Sequence, residues 1–282
     1  MAQTEIRITT LSENTANRGC LGEWGLSMFV EVGGTRVLFD TGGGRTLIPN
    51  AEKLGVDLAA VDVIVLSHGH LDHTGGLKAV LEKTGPRQVI AHPDVWQTKI
   101  ARHPGEEERE IGIPFPREEL AALGASFRLE RGPVEIAPGV MTTGEVPMVT
   151  DYEEVDGGLF LKEGDEVVPD TLRDDLALVI ATEPGLVVLL GCAHRGMVNT
   201  LRHARSLTGQ DRIYAVIGGT HLLHASPEYL ARSIADLKEM GVAYVGVSHC
   251  SGFQASAGLL WAFGDGFFVN NAGNRFTLPF TG

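Results

Sequence analysis

Ser67–Gly76, SHGHLDHTGG, places His68, His70, Asp72 and His73 within six residues. The stretch lies between VIVLS, an apolar run suited to a buried strand, and GGLKAVLEKTG, a helix-like run closed by Gly85. His68 and His70 are two apart, so in extended backbone their side chains point to the same side. Asp72 and His73 follow in a turn and can face a second position close by. Imidazole and carboxylate together suit zinc, iron or manganese. Three protein ligands plus water is the usual catalytic arrangement, whereas structural sites are more often closed by thiolates. A helix cap with exposed polar residues is the competing reading, but four potential ligands in one turn make a poor coincidence.

Working outward, the same pattern recurs. LVVLLGCA runs into His194, IYAVIGGT into His221 and YVGVS into His249, each an apolar strand pattern handing the chain to a histidine-bearing loop. Sites in α/β folds gather at the carboxyl ends of strands, so histidines far apart in sequence converge if these strands share sheets. Upstream, EIRITTL, GLSMFVEV and TRVLFDTG read as strands, with Gly33 and Gly34 marking a hairpin turn. TLIPNAEKLGVDLAAVD reads as a helix and connection, and QVIAH as a further strand. MVNTLRHARSL and SPEYLARSIADLKEMG read as helices, and LWAFGDGFFVNNAGNRFTL as two short strands with glycine turns. Two similar halves predict an α/β chain of two mixed sheets packed face to face, with helices outside. One domain over 1–282 is expected. The charged, proline-bearing segment at about 96–124 is expected as a surface insertion, with a lid beside the site as the alternative.

Composition narrows the partners. The hydrophobic fraction of 43% is enough for a sizeable core, and the net charge of −13 disfavours nucleic acid or an anionic membrane surface. A phosphorylated small molecule held by local cations or metals stays open. MAQTEIRITT lacks the basic and apolar regions of a signal peptide, and no run reaches the roughly 18 apolar residues of a spanning helix. Cys20, Cys192 and Cys250 are too few and too scattered for a disulfide framework. A soluble protein of a reducing cytoplasm is expected.

HGHLDHTGG resembles the His-x-His-x-Asp-His motif of the metallo-β-lactamase-fold superfamily, and VLFDTG the strand placed before it, with Asp40 near the metals. The resemblance covers most of the chain. It implies a four-layer αβ/βα sandwich with a dinuclear metal site at one edge. EWGLS at 23–27, TTGEVP at 142–147, DDLALVI, GCAHRGMVNT, GGTHL and SHCSG together resemble the dihydropteroate-synthase-like branch. That branch is named for an archaeal enzyme of methanopterin biosynthesis, which joins a pterin to a ribosyl-aminobenzene phosphate. Glyoxalase-like branches carry TPGH and TGD where this chain has TTGEVP, with Glu145, and GCAH, with Cys192 and His194.

The resemblance implies His68 and His70 on one metal and Asp72 and His73 on the other, with His194 and His249 completing the ligands. Two divalent transition metals are implied, zinc first, with iron or manganese as alternatives. Asp72 would also orient the attacking hydroxide. His221, Glu145, Asp40 and Cys192 are expected to bind substrate or support the ligands; Cys192 and Cys250 are read as small buried groups tuning the site. Arg195 and Arg173 are the nearest candidates to neutralise an anion, and a structural role is expected for His92. The leading expectation is a dinuclear-metal hydrolase of an ester, lactone or phosphoester, acting through a metal-bound hydroxide on a small anionic substrate. The alternative is a metal-dependent transferase resembling the pterin-condensing enzyme.

Overall fold

The computed structural model describes residues 5–278. Met1–Thr4, part of the stretch read for a leader, and the last four residues of the expected domain lie outside the described residues. Two seven-stranded mixed sheets form the centre. In spatial order the first runs Arg275–Leu278, Ile6–Ser12, Ser27–Val32, Thr35–Phe39, Val63–Val65, Arg87–Ala91 and Ala125–Leu129. The second runs Phe267–Val269, Tyr244–Ser248, Ile213–Gly219, Gly185–Leu190, Ala177–Thr182, Val140–Thr142 and Glu135–Ala137.

Alternation along the strands explains the layers. Val37, Phe39, Val63 and Val65 meet Leu178, Ile180, Val187 and Leu189 between the sheets. Their neighbours Leu38 and Ile64 face outward, beneath Leu47 and Ala51 of the helix Leu47–Leu54 and Leu77, Val80 and Leu81 of Leu77–Thr84. On the far side Val179, Val188 and Leu190 pack under Val198 and Leu201 of Met197–Thr208, Leu237 of Pro227–Glu239 and Leu259 of Phe253–Phe263. Both faces of each sheet are therefore buried, which is why the strands read as continuous apolar runs. The fold is an αβ/βα sandwich.

Two expectations change. The segment 96–124 is not a surface excursion. Thr98–Ala101 and Arg109–Glu110 pair with Leu159–Glu163 and Glu166–Pro169 in a third, four-stranded sheet. Arg117–Ala122 is a helix over the first sheet, and Ala125–Leu129 extends that sheet in parallel with Arg87–Ala91. Its few apolar residues decide this: Ile100, Ala101 and Leu120 are buried, while the run of glutamates at 106–110 stays exposed. The second change is at the C-terminal end, where Leu260–Phe263 finish a helix rather than a strand. That helix carries no charged residue and exposes Phe253, Leu260 and Trp261, so its apolar face gives no clean helical period. Among the described residues, no helix is long and apolar enough to cross a membrane.

Candidate metal centre

Four strand ends deliver the donors. Val63–Val65 leads to His68, Gly185–Leu190 to Cys192 and His194, Ile213–Gly219 to His221, and Tyr244–Ser248 to His249. The first belongs to one sheet and the others to its partner, so the cluster spans the edge of the sandwich. Among the described residues five non-glycines have positive φ, and Asp40, His221 and His249 are three of them. A fourth, Ala193, lies between Cys192 and His194. Left-handed backbone is costly outside glycine and concentrates where surrounding structure enforces it, often at functional sites.

His68 Nε2 lies 3.0 Å from His70 Nδ1 and 3.2 Å from His194 Nε2. Alongside, His249 Nε2 lies 3.2 Å from His73 Nε2 and 3.1 Å from Asp72 Oδ2. The His68 and His73 rings join the two groups at a centroid distance of 4.3 Å. Five imidazoles and one carboxylate thus meet in two groups, His194 lying with the expected pair His68 and His70, and His249 with Asp72 and His73. The Cys192 sulfur was expected to support the ligands, but it faces His73 Nε2 at 3.2 Å. It completes one buried triad with His68 and His194 and another with His73 and His249, either of which could hold a metal ion.

Hydrogen bonds behind the rings fix which nitrogen carries the proton. Asp40 accepts from the Ser67 hydroxyl and from His73 Nδ1, both at 2.7 Å. With its proton committed to Asp40, the Ser67 oxygen accepts from His68 Nδ1 at 2.8 Å. Asn14 Oδ1 accepts from His249 Nδ1 at 3.0 Å. In the neutral tautomer that these oxygen partners favour, each of the three rings turns its Nε2 toward the centre, as in metal-binding imidazoles. Asp40, expected near the metals, lies behind the His73 ring. Asn14 and Glu13, whose carboxylate accepts from the His249 N–H at 2.7 Å, carry no motif and were not anticipated.

Electrostatics divide the rings, with His68, His70 and His194 shifted down and His73 up. Burial first, then neighbouring histidines, holds His68 and His194 well below the ordinary imidazole range. Burial also pulls His70 well down, against the Asp72 carboxylate. For His73 burial is outweighed by Asp40 and Asp72, and the net direction is up. Asp72 is driven far down, because His73 and His249 overcome its burial. Burial and the Cys250 thiol push the Cys192 thiol up. Imidazole nitrogens and a carboxylate converging in this way form a donor set suited to divalent transition metals.

The backbone beneath the motif is held by a buried ion cluster. Lys99 Nζ lies 2.8 Å from Asp170 and 2.9 Å from Asp174, and Asp174 accepts from the Gly69 N–H at 2.8 Å. Gly69 separates His68 from His70, and a Cβ there would sit 2.4 Å from the Val95 carbonyl and 3.1 Å from Lys99 Cε. Only glycine fits.

Of the other candidates, Glu145 and Arg195 turn away from the donors, whereas His221 stands beside them. Glu145 accepts from His92 at 2.9 Å and from Arg131 at 2.6 Å, so its polar contacts run outward rather than to the cluster. His92 therefore has a partner that its sequence context did not reveal. Arg195 spends its guanidinium on the carbonyls of Val146 and Thr171. His221 stands 4.2 Å from His194 between ring centroids, and its own N–H donates to Cys250 Sγ at 3.2 Å.

Comparison with known proteins agrees with the fold. The family model of the metallo-beta-lactamase superfamily matches residues 25–249. The 7,8-dihydropterin-6-methyl-4-(beta-D-ribofuranosyl)-aminobenzene-5'-phosphate synthase of Methanocaldococcus jannaschii is 33% identical over 95% of this chain and 95% of its own length. An uncharacterized protein of the same organism is 31% identical over 88% of this chain and 91% of its own. The crystal structure of Tm1679, described as a metal-dependent hydrolase of the beta-lactamase superfamily, superimposes with a TM-score of 0.83 at 30% identity, covering 96% of this chain and 98% of that one. The chain belongs to the metallo-beta-lactamase superfamily.

Proposed function

We propose that the protein is a metal-dependent transferase that joins a pterin to an aminobenzene carrying a ribosyl phosphate. The observation that carries this reading is the end-to-end similarity to the Methanocaldococcus jannaschii synthase, 33% identical over 95% of both chains. His68, His70 and His194 would hold one divalent metal, and Asp72, His73 and His249 the other, with Cys192 between them. Metals there supply Lewis acidity toward anionic oxygens such as those of a diphosphate. In the proposed reaction the amine nitrogen attacks the methylene carbon attached to the pterin, and the bond from that carbon to a diphosphate oxygen breaks. The proton lost from nitrogen leaves with the departing anion. The chain therefore needs no nucleophile of its own. Its residues orient the donors through Asp40 and Asn14, and His221 offers a further imidazole to an anionic group beside His194.

Hydrolysis of an ester, lactone or phosphoester is the second reading, favoured by the description of the Tm1679 structure. The two separate in one assay. Metal-loaded protein is given 6-hydroxymethyl-7,8-dihydropterin diphosphate with and without 4-(β-D-ribofuranosyl)aminobenzene 5'-phosphate, and diphosphate and condensed product are measured. Release that requires the amine supports transfer, whereas equal release without it supports hydrolysis. No turnover in either mixture removes the pterin assignment.

His221 tests the anion-binding role. His221→Ala should retain both metals while raising KM or lowering kcat for the anionic substrate. Losing one hydrogen bond to a charged group costs about 1.5–3 kcal/mol, roughly 10- to 150-fold in kcat/KM. Loss of a metal would place His221 among the ligands instead, and unchanged kinetics would make it a packed strand-end residue.

A further inference from the structure

Glu23–Gly25 is built with more care than an exposed turn requires. The Glu23 carboxylate accepts from Ser12 Oγ and the Arg45 N–H at 2.9 Å each, from Thr46 Oγ1 at 2.9 Å and from the Thr46 N–H at 3.2 Å. The Glu23 N–H donates to the Glu13 carbonyl at 3.0 Å, and the Leu26 N–H donates to the Asp72 carbonyl at 3.1 Å. Gly25, at φ 157, lies so close to the motif that an added Cβ would stand 2.6 Å from the Asp72 carbonyl and 2.7 Å from the Gly43 nitrogen. Between these anchors Trp24 is left 56% exposed, its ring 4.8 Å from that of His249. A rigid mount holds a large apolar ring in water beside the donor cluster, which costs hydrophobic free energy unless something covers it.

We infer that Trp24 is the stacking wall for a flat aromatic ring of the substrate, bound on the Asp72–His249 side of the centre. Aromatic rings stack on tryptophan faces in offset geometry, and bicyclic heteroaromatics present the area that rewards it. His221 flanks His194 on the other donor set, so the ring is held at one end of the cluster and an anionic group at the other. The other tryptophans do not compete for this role. Trp96 packs edge-on against Phe127 at 5.3 Å, and Trp261 is 93% exposed on the helix Phe253–Phe263. The pterin as occupant rests on the proposed function; the stacking wall does not.

Calorimetric titration of metal-loaded protein with 6-hydroxymethylpterin and, separately, 2-naphthoate tests both. Trp24→Ala should weaken binding of a bound ring by roughly 5- to 150-fold, the range for losing one base-stacking aromatic. Trp24→Phe should recover most of the affinity, Trp261→Ala should change nothing, and metal content should stay at the wild-type value in all three. If 6-hydroxymethylpterin fails to bind the wild type but 2-naphthoate binds with the same dependence on Trp24, the wall stands and the pterin reading falls. The inference is overturned if neither ring binds, if Trp24→Ala binds as well as wild type, or if Trp24→Ala loses metal and so acts through His249.

Discussion

His70→Ala loses most of the bound metal and, with it, activity by a factor on the order of a thousand. His70 Nδ1 is one of two nitrogens, with His194 Nε2, that lie within 3.2 Å of His68 Nε2, and no replacement donor lies on its helix-side neighbours Leu71 or Thr74. Residues that merely support ligands cost about 10- to 100-fold in affinity when removed, so loss of a donor itself should exceed that. A metal worth several kcal/mol of transition-state stabilisation accounts for the rate loss, since about 4 kcal/mol is roughly a thousandfold. The measurement is metal content after gel filtration together with turnover. His70 is buried on all sides, and truncating it leaves the Ser67–Asp40–His73 bonds in place, so the secondary structure should survive. Full activity of metal-free wild-type protein in excess chelator would remove the metalloenzyme reading altogether, whatever the variant does.

Much of this site was readable before any coordinates because of how buried strands are written. Residues facing the opposite sheet and residues facing the helices are both apolar, so each strand is an uninterrupted run with a visible end. His68, His194, His221 and His249 stand at four such ends, and their convergence needed only the rule that sites gather there. What holds the donors was not readable. Glu13 and Asn14 reach His249 across more than two hundred residues, from a loop without any motif. Cys192 looked like packing because side-chain direction after a strand depends on backbone that sequence does not state. The left-handed Ala193 that follows helps turn the chain between Cys192 and His194. The third sheet escaped notice for a different reason. Its strands are two to five residues long, with Thr98–Ala101 burying three residues in a row and Arg109–Glu110 wholly exposed, so they carry little period.

Within that unforeseen sheet lies the residue with the largest expected effect on stability. Lys99→Met removes the ammonium that Asp170 and Asp174 share, and all three side chains are almost entirely inaccessible. Burial opposes charge on Lys99, but the Asp174 and Asp170 carboxylates outweigh it and hold the amine protonated. Breaking a buried ion cluster from one side typically costs about 3–5 kcal/mol, because the remaining charge is left unpaired. That is a large share of the stability of an ordinary domain. Urea unfolding should show the midpoint falling at unchanged slope. The deficit should also depend on pH with a definite sign. Burial already raises the Asp174 carboxyl against the pull of Lys99, so without Lys99 it binds its proton more tightly still than in the unfolded chain, and the native variant gains that proton first as pH falls. The gap to wild type should therefore narrow from pH 7.5 to pH 5. Lys99→Met/Asp174→Asn should recover part of the loss even at pH 7.5, since the amide removes one charge and still offers an oxygen to Gly69 N–H. The motif reports the same event: with Gly69 less firmly held between His68 and His70, metal affinity in Lys99→Met should drop by about 10- to 100-fold. A variant as stable as wild type at pH 7.5, with unaltered metal affinity, would mean that the cluster neither braces the fold nor the loop above it.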